Sequence, residues 1–217
     1  MTEKLFEQDA YLKECEAKVV KVEAAPAGAR VWLNRTIFFG FAGGQQSDSG
    51  TLNGKQVLDV AVDGADIVHV LEDNHGLVAG QAVHCVLDWL KRYKIMRVHS
   101  ATHLVSVFVD ETLHNPEYFG SNVSVDKGRL DLLWQENVKP LLPDWEAKAN
   151  AVVLAGKPIR VFRDPANPAR FVWECQGLKP MECCGTHVRS SAEVGTIRLK
   201  REGKGKGKER VEVLLEA

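Results

Sequence analysis

Two pairs of potential metal ligands, far apart in the chain, constrain this sequence more than any other feature. His99-Ser100-Ala101-Thr102-His103 and Cys183-Cys184-Gly185-Thr186-His187 each separate two ligand-type side chains by four residues. On an α-helix, residues four apart stand about 40° from one another, one turn above the other, which is chelating geometry. The stretch from residue 89 to about 114 holds no proline or glycine and carries helical periodicity. There Ala101, Leu104, Val105 and Phe108 follow the i, i+3, i+4, i+7 core pattern, and the two histidines share the opposite side with Ser106 and Asp110. A histidine that merely fills a core belongs on the apolar stripe, and these do not lie on it. Around the second pair, Pro180 and Gly185 indicate a loop or strand end. Three imidazoles and a thiolate are a donor set that zinc prefers and would fill a tetrahedron. His99, His103, Cys183 and His187 are therefore the candidate Zn2+ ligands.

The same residues exclude other zinc chemistries. Peptidases of the His-Glu-x-x-His kind need a Glu as general base, and Ser100 stands in its place. Neither pair is the Cys-x-x-Cys knuckle of an ordinary zinc finger. A vicinal Cys183–Cys184 disulfide would be strained. Composition narrows the class further. With 45% hydrophobic and 26% charged residues the chain reads as globular rather than disordered. A formal charge of −1 gives no global attraction to a polyanion, so any nucleic-acid contact must come from local patches. No apolar stretch approaches the roughly 18 residues of a membrane span, and Met1–Asp9 lacks the pattern of a secretory signal. Five cysteines, an odd count, fit free thiols or metal ligation in a reducing cytosol. A cytoplasmic protein with no membrane partner is expected.

Before residue 88, short apolar runs (57–62 and 67–71) alternate with the turn signals Asn53-Gly54, Asp63-Gly64 and Asn74-His75-Gly76. They predict a small N-terminal antiparallel β-barrel domain, 1–88, with the boundary near 86–90 where the helix begins. The remainder, 89–217, mixes that helix and a second one within 132–155 with strand-like pieces at 123–133, 159–162, 171–174, 194–200 and 210–215. The expected class is α+β. The biased segment 202–209, with its alternating glycines and lysines, reads as a hairpin tip between the last two strands.

His99-Ser100-Ala101-Thr102-His103-Leu104 followed by Cys183-Cys184-Gly185-Thr186-His187-Val188 resembles the paired zinc motifs of the alanyl-tRNA editing domain. Leu33-Asn34-Arg35-Thr36-Ile37-Phe38-Phe39, Ala42-Gly43-Gly44-Gln45 and Asp48-Ser49-Gly50 resemble the glycine-rich motif that precedes it. Asp126-Lys127-Gly128-Arg129-Leu130-Asp131 and Val194-Gly195-Thr196-Ile197 fit the same template, in order, from about residue 30 onward. The chain is too short for the aminoacylation core of a whole synthetase, so the resemblance is to the freestanding AlaX editing proteins with an N-terminal barrel. It implies a barrel-like domain, a zinc-binding α+β editing domain, and hydrolysis of tRNA for alanine wrongly charged with serine, with glycine as a second candidate. Two departures stand out: Cys184 where the family usually has Gly, and Ala42 where a third glycine is common.

The resemblance nominates Thr36, Gly43, Gly44, Gln45 and Asp126 as substrate-binding residues. A hydroxyl partner such as Thr36 would allow a site to reject alanine, which lacks the hydroxyl of serine, by a factor on the order of 10⁴. Thr36 as a strand threonine satisfied locally is the alternative. Two basic clusters are candidates for the tRNA phosphates: Lys91, Arg92, Lys94 and Arg97, and Lys200, Arg201, Lys204, Lys206, Lys208 and Arg210. Four protein ligands leave no open position on zinc, so either one ligand is displaced, coordination expands, or the ion only orients the substrate. The rival readings are a peptidyl-tRNA hydrolase suggested by Gly43-Gly44-Gln45, a zinc hydrolase of a small ester, and a zinc-stabilised RNA-binding module without catalysis. His69, His75, His84 and His114 are expected to be surface or packing residues, and Cys15, Cys85 and Cys175 inert thiols.

Overall fold

Fifteen strands and two α-helices in mixed α+β order make up the described residues of the computed structural model, which are 1–26, 28–205 and 207–216. The chain divides into two units, Met1–Ala42 with Gln46–Tyr93, and Gly43–Gln45 with Lys94–Ala217.

The first unit holds β1 (Glu3–Lys4), β2 (Glu14–Ala25), β3 (Gly28–Leu33), β4 (Arg35–Thr36), β5 (Gly50–Leu52), β6 (Lys55–Asp63), β7 (Asp66–Leu71) and β8 (Ala82–Leu87). Six of them close on themselves in the order β2-β3-β7-β6-β5-β8, every neighbour antiparallel. Closure removes the open edges that would otherwise template aggregation. The turn Asn53-Gly54 joins β5 to β6 with both residues at positive φ, 49° and 74°, the backbone a two-residue hairpin requires. Alternate side chains face inward, among them Val31, Leu33, Leu52, Val60 and Leu71, and they pack with Ile37 and Phe38 from the glycine-rich segment.

The helix α1 (Trp89–Leu113) starts where Asp88 accepts the Lys91 backbone N–H at 3.1 Å, a side-chain cap for an otherwise unpaired donor. In the second unit follow β9 (Glu117–Val123), β10 (Gly128–Leu133), α2 (Leu142–Ala155), β11 (Ile159–Asp164), β12 (Asn167–Cys175), β13 (Met181–Glu182), β14 (Ile197–Gly203) and β15 (Lys208–Leu215). They form one sheet of order β14-β15-β10-β9 and another of order β11-β12-β13. Ala101, Leu104 and Val105 of α1 are fully buried, as the periodicity requires. Trp145 of α2 is buried too and donates its indole N–H to Thr112 Oγ1 at 3.0 Å, tying α2 to α1.

The run 123–133 is not one strand. It ends β9, turns, and begins β10, because Ser124 Oγ accepts the backbone N–H groups of Asp126 and Lys127 and folds the chain back. Among the described residues no helix is long and apolar enough to cross a membrane.

Candidate metal centre

All four ligand candidates meet. His99, His103, Cys183 and His187 offer ligand atoms that lie within 4.8 Å of one another. The first two come from one face of α1, and the other two from the segment that follows β13. Gly185 explains why that segment comes so near the helix: a Cβ there would stand 2.3 Å from His99 Cε1 and 2.5 Å from Gln45 Oε1. Only glycine fits between Cys183 and His187.

The inward-facing atoms are the three imidazole Nε2 atoms and the Cys183 sulfur. His103 Nε2 lies 3.2 Å from His99 Nε2, and Cys183 Sγ lies 3.5 Å from His99 Nε2 and 3.3 Å from His187 Nε2. A tetrahedral zinc with ordinary bond lengths would place its nitrogen and sulfur ligands about 3.3–3.6 Å apart. The donor set and these three distances fit such an ion.

The outward-facing atoms fix the rings. His99 Nδ1 lies 2.8 Å from Gln45 Oε1, an amide oxygen that also accepts the Thr186 backbone N–H at 2.9 Å. Because a backbone N–H can only donate, the Thr186 contact fixes that end of the amide as the oxygen, and Gln45 Nε2 donates to Thr186 Oγ1 at 2.9 Å. His99 must therefore carry its proton on Nδ1 and present a bare lone pair at Nε2. His187 Nδ1 lies 3.1 Å from Ser100 Oγ, which accepts the Val188 backbone N–H at 3.3 Å. His103 Nδ1 lies 2.7 Å from the Met181 thioether, and its ring packs on Trp173 with centroids 4.9 Å apart.

Burial sets the charge state. Desolvation holds His99 down at about 4 and His103 and His187 well below the ordinary imidazole range, with the neighbouring rings adding to the depression in the latter two. The same burial pushes the Cys183 thiol up to about 12, against a hydrogen bond from the Gly185 backbone N–H. The pocket keeps its imidazoles neutral and ready to ligate. Its thiol gives up a proton only to a cation that replaces it.

The other nominated residues differ in placement. Gln45 joins the cluster as the partner of His99, a role that the glycine-rich motif did not disclose. Gly44, at φ 79°, brings that segment against β9, where a Cβ would stand 2.5 Å from Ser121 O. Gly43 adopts φ 56° with open space around it. Asp126 sits exposed in the β9–β10 turn. Thr36 is fully buried in the first unit. His69 Nδ1 faces Val31 O at 3.2 Å, so its Nε2 accepts the Thr36 hydroxyl at 2.9 Å, while Thr36 Oγ1 accepts the Phe38 N–H at 3.1 Å. Ser100 and Met181 were not nominated. In the sequence Ser100 is legible only as the residue that stands where a zinc peptidase has its Glu, and Met181 carries no signal.

Arg92 requires a correction. It is 0% exposed, pairs with Asp48 through Nε and Nη2, and donates to the carbonyls of Ile37 and Ala10. A guanidinium so enclosed holds the fold and does not reach a phosphate. Lys91 is half-buried and Lys94 exposed, and Arg97 donates to Val194 O at 2.9 Å. On the last hairpin, Arg201 pairs with Glu209, Arg210 with Asp131, and Lys204 with Glu202. Lys208 stands 5.2 Å over the Phe119 ring, Lys200 is exposed, and Lys206 lies outside the described residues.

Residues 182–212 match the family model described as the threonyl and alanyl tRNA synthetase second additional domain. The chain is 35% identical to the alanyl-tRNA editing protein AlaX-M of Pyrococcus horikoshii, over 100% of this chain and 99% of that protein. It is 30% identical to the AlaX-M of Methanosarcina barkeri, with 97% and 98% covered. It is also 33% identical to the alanine–tRNA ligase of Methanococcus vannielii, where 97% of this chain matches 26% of the ligase.

Proposed function

Because the chain belongs to the AlaX-M family of alanyl-tRNA editing proteins, we propose that it acts in trans on tRNA(Ala) charged with the wrong amino acid. It hydrolyses the ester between serine and the terminal ribose, as a zinc-dependent aminoacyl-tRNA deacylase of the cytoplasm. A small barrel domain (1–88) precedes a zinc-binding editing domain (89–217). The observation that carries this reading is the convergence of three imidazoles and one thiol whose ligand atoms lie within 4.8 Å of one another.

The ester is already an activated bond, so positioning, polarisation of the carbonyl and exclusion of bulk water suffice. When bound, zinc supplies a positive centre that polarises a carbonyl or acidifies water. The protein's own residues do the rest. Gln45 locks the tautomer and direction of His99, and Ser100 supports His187. The Gln45 carbonyl is occupied by His99 and Thr186, so Gln45 meets the substrate only through its second amide N–H. Gly43, Gly44 and Asp126 are held as substrate contacts, and Lys91, Lys204, Lys206 and Lys208 as contacts to tRNA phosphates.

Thr36 is the candidate reader of the serine hydroxyl. Its proton goes to His69 and its oxygen already accepts the Phe38 N–H in a fully buried position, so one remaining lone pair is what it could offer a serine O–H. Thr36→Val should then lower the serine-over-alanine rate ratio by roughly 10-fold or more; an unchanged ratio removes Thr36 from recognition. The test of the whole reading is deacylation of tRNA(Ala) charged in turn with serine, glycine and alanine. Rapid loss of serine with alanine spared supports it, and intact Ser-tRNA(Ala) after prolonged incubation refutes it.

A further inference from the structure

We propose that His103 is the ligand that yields its place during turnover, and that Met181 is the positioning residue that lets it do so. This rests on the zinc reading above. Four protein ligands close a tetrahedron, whereas reacting zinc sites keep one direction open. Of the three ways such a site can work, ligand displacement is the one that an unequal support of the four ligands would favour.

His99 and His187 are built to stay. They are 6% and 5% exposed, and each Nδ1 faces an oxygen that is itself held in place, Gln45 Oε1 by Thr186 and Ser100 Oγ by Val188. Oxygen partners orient a ligating imidazole and raise its basicity. Cys183 is fixed by the Gly185 N–H, and a thiolate withdrawn from its cation would be a buried charge without compensation. His103 differs from the other two histidines in burial and in its outer partner. It is only half-buried, and its Nδ1 meets the Met181 sulfur, a weak acceptor. Trp173 offers its ring only a flat wall. Met181 is itself flexible. It lines a cavity of ≈ 290 Å³ with Val107, Asp110, His114 and Lys179, so this side chain borders open space. The support behind His103 is a weak acceptor, itself held only by a 3.6 Å contact from Ser106 Oγ.

The experiment measures zinc affinity by competition with a chromophoric chelator, and the rate of zinc release, for the full chain, Met181→Gln, His99→Ala, His103→Ala and His187→Ala. Met181→Gln places a carbonyl oxygen behind His103. It should tighten zinc by about 10-fold or more and slow its release, while Ser-tRNA(Ala) hydrolysis becomes slower. A merely structural methionine would not couple tighter metal to lower activity. His103→Ala should lose about 10-fold less zinc affinity than His99→Ala or His187→Ala. Equal losses at the three histidines, or a Met181→Gln variant whose zinc affinity and release are unchanged, overturn the proposal while leaving the zinc reading intact. A full chain that holds no zinc at all overturns both.

Discussion

The two units bury ionisable groups for opposite purposes. In the first, every such group described has its partner beside it: Arg92 has Asp48 and two carbonyls, and His69 has Thr36 and Val31 O. In the second, His99, His103 and His187 are partnered on their outer nitrogens while their inner ones converge on Cys183. At 3.2 Å a single proton can serve the Nε2 pair of His99 and His103, but it leaves the Nε2 of His187 and the Cys183 sulfur to be satisfied as well. The arrangement makes sense around a cation. Burial alone, then, does not mark a functional site. What marks it is polar groups whose mutual arrangement is completed only by something the chain does not supply.

Each side of this contrast can be broken. The largest effect is expected in the first unit, where Asp48→Ala leaves the Arg92 charge buried and alone. Urea unfolding should show a loss of about 3–5 kcal/mol; a loss under about 1 kcal/mol would mean that the pair is dispensable. Next, His69 is held by burial at about 4, against 6.5 when free. Above 6.5 it is neutral in both states. As pH falls below 6.5 the unfolded chain takes up the proton and the native chain does not, so stability declines down to about 4, by roughly 3 kcal/mol in all. Replacing His69 by Gln should flatten that acid limb, and an identical pH profile would contradict the shift.

In the second unit, His99→Ala should lower Ser-tRNA(Ala) hydrolysis by at least about 100-fold, the upper end of what even an outer partner costs. Gln45→Ala should weaken zinc by about 10- to 100-fold with little change in the far-ultraviolet dichroism. Retained affinity would reduce Gln45 to packing. The smallest effect belongs to the hairpin tip. Replacing Lys204, Lys206 and Lys208 together with Gln should lower the dependence of log affinity on log salt by up to about 3. An unaltered slope would assign the RNA contact elsewhere.

The cluster of four potential ligands was legible in the sequence because four-residue spacing on a helix has one geometric meaning, and because Ala101, Leu104 and Val105 declared which face was the core. Gly185 belonged to the same signal. The turns Asn53-Gly54 and Asp63-Gly64 gave away the hairpins of the first unit for a similar reason, since turn chemistry is local. What stayed hidden was long-range. Nothing in the chain announced that Gln45 would hold His99, or that Met181 would back His103, because those pairings depend on how distant segments pack. The misreading of Arg92 has the same origin. Beside Lys91 and Lys94 it looks like part of a basic surface, and only the position of Asp48 turns it inward. The hairpin at 123–133 was missed because its turn is made by Ser124, a weaker signal than glycine or proline.

The most direct test is a zinc titration coupled to turnover. The purified protein is assayed for bound metal, stripped with a chelator, and given zinc back while Ser-tRNA(Ala) hydrolysis is followed. One zinc per chain, activity lost on stripping and restored in proportion to zinc returned, is the expected result. Undiminished hydrolysis by protein shown to be metal-free would contradict the convergence of His99, His103, Cys183 and His187 as the basis of its chemistry.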